Sequence, residues 1–144
     1  MPSRRRAREI ALQSLYQVEV NPAVGAAQLE GFLVGRLRVP TLVEFARTLV
    51  GGVLAERAAI DAQLDARSEN WRVARMAATD RAVLRIAAYE LLHTDVPGAV
   101  AVNEAIELAR RYGTAASPRF VAGILGRMLA DRDGLPGGAA AAAS

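Results

Sequence analysis

Four arginines fall within five residues near the start of the chain, in the stretch "RRRAREIALQSLYQVEV" (residues 4–20). Arginine at this density offers one kind of chemistry: planar guanidinium forks that take phosphate oxygens two at a time and stack on flat rings. On a helix turning 100° per residue, Arg5, Glu9, Gln13 and Tyr16 share a face, with Arg6 and Gln17 beside them. That face lies opposite an apolar stripe of Ala7, Ile10, Ala11, Leu15 and Val18. An aromatic set among arginines can stack on a base or anchor a protein partner. A solvated helix with one exposed tyrosine shows the same pattern, so this helix alone does not separate the two readings.

Charge placement carries more than charge number. All 18 basic residues are arginine against 15 acids, for a net charge of +3. An arginine- and alanine-rich composition is also what a GC-rich coding bias produces. The arginines are nevertheless clustered. Residues 1–18 hold four of them against Glu9 alone, and Arg110, Arg111, Arg119 and Arg127 follow one another with no acid between Glu107 and Asp131. The remainder of the chain is net acidic. A basic pole on an acidic body is the electrostatic footprint of a polyanion binder.

Catalytic chemistry has little to stand on. The chain has no cysteine, which removes thiolate metal sites, disulfides and a cysteine nucleophile together. The single histidine, His93, ends an apolar run without companions at metal-ligand spacing, and suits a helix C-terminus. Glycines at 31 and 35, 51 and 52, and 123 and 126 follow no strand, so no phosphate-cradling loop is indicated. Glu107 lies four residues before Arg111, an ordinary surface pairing. Glu90, among Tyr89, Leu91 and Leu92, reads as a buried carboxylate hydrogen-bonded to a neighbouring helix rather than as a general base. The expectation is a protein without catalytic residues, metal or cofactor. No apolar stretch approaches the roughly 20 residues of a membrane helix, and the arginine-rich start lacks the apolar core of a signal peptide. A cytoplasmic protein with no membrane association is expected.

The elements that would position these residues are helical throughout. The first ends at Asn21-Pro22. Leu29, Phe32, Leu33 and Leu37 form a second stripe that stops before Pro40. A third helix is predicted from an N-cap at Thr41 through Leu42, Leu49, Val53, Ile60 and Leu64, with Gly51-Gly52 permitting close packing or a bend. Residues 66–78 form an irregular joint around Trp71, the only tryptophan. Thr79 is placed as the cap of a helix that is apolar nearly all round and therefore central, with Asp80 near its positive end. "DVPG" at 95–98 is a turn, Gly113 closes the next helix, and Ser117-Pro118 opens the last. The prediction is an all-α protein of six to seven helices. Residues 134–144 are expected to form a disordered tail.

Beyond this pattern, "RRRAREIALQSLYQVEV", "DRAVLRIAAYELLHTDVPGAVAVNEAIELARRYGTAASPRFVAGIL" and the Trp71 joint between them resemble the NusB family of bacterial transcription antitermination factors, in register from residue 4 to about 130. The resemblance implies two small helical bundles, residues 1–66 and 67–133, packed together and without catalytic activity. It implies a heterodimer with NusE, a ribosomal small-subunit protein. That pair would bind the single-stranded boxA element of nascent ribosomal RNA and join the antitermination complex of RNA polymerase. The family's RNA contacts fall on Arg4, Arg5, Arg6 and Arg8, with Gln13 on the same helix, and a second RNA-proximal edge falls on Ser117–Phe120, where Arg119 and Phe120 are the contacts. Partner-facing positions fall on Tyr16 and Asp80. Asn103 and Glu104 are expected to satisfy turn backbone near a helix start. Some relatives carry an acid where this chain has Ala115 or Ala116, so its RNA edge is expected to be more positive. Two alternatives remain: a homodimeric interaction module that covers its own RNA face, and a domain associated with ribosomal RNA methylation. The second would rely on a cysteine nucleophile and a cofactor domain that this sequence does not contain.

Overall fold

The computed structural model describes residues 3–134, and within them the chain is all helical. The helices are α1 (Arg4–Val20), α2 (Ala26–Leu37), α3 (Pro40–Ala55), α4 (Arg57–Asp65), α5 (Ala78–His93), α6 (Gly98–Tyr112) and α7 (Ser117–Gly134), with a short 3₁₀ turn at Val73–Arg75 before α5. Apart from Gly134, which ends α7, the stretch expected to be a tail lies outside the described residues.

Helix α5 is the axis, as its nearly continuous apolar surface requires. It packs against α1, α3, α4, α6 and α7. Val83, Leu84, Ile86, Ala87 and Ala88 are all buried, and one continuous hydrophobic core joins them to Ile10, Leu49, Ile60, Ile124 and Leu125. Close approach to α3 depends on a glycine. Gly52 faces the Tyr89 ring so tightly that a Cβ there would lie 2.2 Å from Tyr89 Cζ. The adjacent Gly51 faces open space. The predicted packing role therefore belongs to the second glycine alone.

Several local expectations are corrected. The single helix predicted from Thr41 to Leu64 is two helices, meeting at Glu56 (φ −105°, ψ 14°). The turn there lets α4 leave the neighbourhood of α1 and α2, on which α3 packs, and run against α5 and α7. No glycine or proline marks the place. Thr41 is not a cap: Pro40 takes the first helical position behind Val39, a proline placement that loses no hydrogen bond. Nor does Thr79 cap α5, which starts one residue earlier behind Ala77. Ser117 is the first residue of α7, and its hydroxyl accepts from the Thr114 N–H at 2.9 Å, closing the α6–α7 turn. At the end of α2, Arg38 has φ +65°, a backbone region L-residues seldom occupy.

Candidate nucleic-acid interface

The first turn of α1 begins at Ser3, whose hydroxyl accepts the Arg6 N–H at 3.2 Å. From there the arginines take different courses. Arg4 lies over the Phe45 ring at 4.6 Å. Arg5 reaches across to α6 and holds Glu104 with Nε and Nη2, the latter at 2.8 Å, while its own side chain stays 57% exposed. The hydrogen bond and charge of Glu104 raise the Arg5 pKa above its ordinary value. Arg6 gives Nη1 to Glu9 at 3.1 Å.

Arg8 does not join them at the surface. Only 3% exposed, it donates Nε and Nη2 to the two oxygens of Glu90 at 2.8 and 2.7 Å, and its Nη1 lies 3.6 Å from Glu104. Its place in the arginine run is thus a correction to the implied set of surface contacts. Phase explains it, because Arg8 shares a helical face with Ala11, Leu12 and Leu15, all on the buried side of α1. Glu90 is, as expected, a buried carboxylate bonded to a neighbouring helix.

Glu9 shares a helical face with Arg5 and Tyr16, yet it is only 3% exposed. Its Oε1 takes Arg6 and its Oε2 takes Arg111 of α6. Glu104 and Arg111 are two helical turns apart on one face of α6, and that face covers α1 where the wheel pattern leaves it open. Two further assignments change accordingly. Glu107 pairs with Arg110 instead of Arg111, and Glu104 serves Arg5 rather than turn backbone.

Three clefts follow this arrangement along the surface. The first lies between α1, α2 and α6, is lined by Arg5, Arg6, Arg36 and Arg111 above Glu9, and measures about 440 Å³. Beside it, Leu12, Gln13, Tyr16, Gln17, Thr79 and Tyr112 border a more apolar cleft of about 340 Å³, where Tyr16 is 44% exposed. The third, about 280 Å³, is bordered by Trp71, Met76, Asp80, Ser117 and Phe120. Sequence neighbours link them: Arg111 to Tyr112, and Thr79 to Asp80. Arg81 fixes the joint beside the third cleft, donating to the carbonyls of Met76 at 2.7 Å and Val73 at 3.2 Å and pairing with Glu19. Asp80 Oδ1 is shielded from solvent with no hydrogen-bond partner among the described residues. Arg119 is exposed on the first turn of α7. The structure thus brings Arg5 and Arg6 to one cleft, Gln13 and Tyr16 to the next, and Asp80 and Phe120 to the third. Arg36, Arg111 and Trp71 line these clefts without having been singled out as contacts. Among the described residues no helix is long and apolar enough to cross a membrane, and no group of three or more acidic or histidine side chains could hold a metal ion.

The comparisons with known proteins agree over nearly the whole chain. The model of the NusB family matches residues 5–130. The transcription antitermination protein NusB of Symbiobacterium thermophilum is 44% identical over 145 residues, covering 94% of this chain and 94% of that protein. Its counterpart in Anaeromyxobacter sp. strain Fw109-5 is 48% identical over 134 residues, covering 92% of each. Among solved structures, NusB of T. maritima superposes with a TM-score of 0.78 at 37% identity, over 88% of this chain and 90% of that one. The fold is also that of a chain in a crystal structure of antitermination factors NusB and NusE with double-stranded RNA (TM-score 0.77, 20% identity, 89% and 96% covered). By sequence, by family model and by fold, the chain belongs to the NusB family.

Proposed function

We propose that the chain is a non-enzymatic transcription antitermination factor of the cytoplasm. In this reading it binds boxA single-stranded RNA together with NusE and helps RNA polymerase resist termination. The observation that carries the reading is the set of arginines at the start of α1, presented on the surface beside two clefts bearing exposed aromatic rings. Arg4, Arg5 and Arg6 supply phosphate contacts and most of the affinity. Gln13, Arg119 and Phe120 supply base-edge and stacking contacts that distinguish one sequence from another. Arg8 acts behind them by tying α1 to α5 through Glu90. Tyr16 and Asp80, on adjoining clefts at the start of α5, face NusE. The arginine-rich motif belongs to the bundle of residues 1–66, and the second RNA edge to that of residues 67–133.

Holding RNA and NusE on one surface raises the local concentration of each, so several weak contacts suffice for a persistent complex. The test is titration of a boxA-like RNA and a scrambled RNA of equal length, each with and without NusE. Tighter binding of the boxA strand that increases with NusE is expected. Equal binding of both strands, indifferent to NusE, would contradict the reading. Light scattering on the same mixtures addresses the homodimer alternative, which predicts a dimer that persists when RNA and NusE are both present.

A further inference from the structure

The first of the three clefts holds more positive charge than the α1 run accounts for. Arg5 and Arg6 line it from α1, Arg36 from the last turn of α2, and Arg111 from the last turn of α6. One carboxylate, Glu9, lies at its floor. Glu9 uses one oxygen for Nη1 of Arg6 and the other for Nη1 of Arg111, so residues from two helices converge and keep further N–H groups for a ligand. Arg36 lies over the Phe32 ring at 5.0 Å, which holds it to its side of the cleft.

Four guanidiniums line the cleft against Glu9 at its floor and Glu104 behind Arg5, which leaves the cleft net positive. Helix polarity adds to this. The N-terminus of α1 carries cations and no acid in its first turn, where the helix dipole favours anions. An anion in the cleft relieves both the mutual repulsion and the opposition to the dipole. A planar carboxylate satisfies one guanidinium fork. Guanidiniums arriving from three helices suit tetrahedral phosphate, whose oxygens point several ways. At about 440 Å³, the open cleft has room for more than one phosphate group.

We propose that this cleft seats consecutive phosphates of a single-stranded polynucleotide, with Arg36 and Arg111 as contacts beyond the α1 arginines. The inference rests on the RNA-binding reading above and extends it away from α1. The experiment compares the full chain with Arg36→Gln, Arg111→Gln, the double variant, and Arg110→Gln as control. Arg110 is exposed, pairs with Glu107 and does not line the cleft. Binding of a single-stranded RNA is measured across a salt series, with thermal melts confirming folding. Each cleft variant is expected to weaken binding about three- to tenfold, alike for all sequences, and to flatten the log–log salt slope by roughly 0.7. The double variant is expected to lose about twice that slope, and the control nothing.

If Arg36→Gln and Arg111→Gln match the control while Arg5→Gln and Arg6→Gln weaken binding, the proposal falls and the RNA reading stands. If none of these changes matters, the RNA reading falls too. Inorganic pyrophosphate, a free source of the same chemistry, is the competitor in a second arm. It is expected to compete about a hundredfold more weakly than the strand, which makes several linked contacts. Equal competition would overturn the assignment to a polynucleotide.

Discussion

Arg8 and Arg5 are three residues apart in one basic run, but their surroundings give them opposite tasks. Arg8, at 3% exposure, meets both oxygens of Glu90 in a buried bidentate pair. Removing one partner leaves the other charge buried and uncompensated, at a cost of about 3–5 kcal/mol. Arg8→Ala and Glu90→Ala are therefore each expected to lower unfolding free energy by about that much in urea titrations. The double change Arg8→Met with Glu90→Leu should recover most of the loss, since an apolar pair of similar volume avoids the desolvation penalty. Single-variant losses under about 1 kcal/mol would contradict a buried role for the pair. At this scale the sequence was only partly legible. Glu90 could be read as buried because apolar residues flank it. Arg8 could not be separated from Arg4–Arg6 by composition, and Glu9 looked exposed because a helical wheel shows which residues share a face, not how many helices cover it.

Among the elements, Gly51 and Gly52 of α3 offer a direct contrast. A methyl group on Gly52 would collide with the Tyr89 ring of α5, whereas Gly51 faces open space. Gly52→Ala is expected to destabilise the protein by about 1–3 kcal/mol through overpacking. Gly51→Ala should stabilise it by up to about 1 kcal/mol through helix propensity alone. Thermal melts of the two variants should move in opposite directions, and movement in the same direction would refute the packing role of Gly52. Arg38 supplies a second check. Its φ of +65° is a conformation glycine adopts freely, so Arg38→Gly should raise stability by about 0.5–1 kcal/mol in denaturant titration. Helical periodicity revealed the apolar stripes and most of the helix boundaries, because each helix buries a stripe against its neighbours. It missed the break at Glu56 for a physical reason: the turn is set by what α3 and α4 pack against, not by a local breaker. Caps were misplaced by two residues at Thr41 and Thr79, where Val39 and Ala77 hold the cap positions, because a threonine beside a helix start is not compelled to cap it.

Over the whole molecule, the basic pole sits where α1, α2 and α6 meet, and the aromatic clefts continue from it towards the starts of α5 and α7. Clustering of arginines along the chain pointed to Arg5, Arg6 and Arg111 in the pole, whereas Arg127 of the second cluster does not line it and pairs with Glu69. Clustering could not reveal that Arg36 would join, since that depends on how α2 packs against α1. If four to six phosphates are engaged, log affinity for single-stranded RNA should fall against log salt with a slope between roughly −3 and −4. The most direct measurement compares this slope, in the presence of NusE, between the native chain and a variant with Arg4, Arg5 and Arg6 changed to alanine and Arg8 left in place to preserve folding. The variant is expected to keep its melting behaviour, lose about 2 from the slope and bind boxA RNA far more weakly. A folded variant with unchanged affinity and slope would contradict this expectation and move the functional surface away from the start of α1.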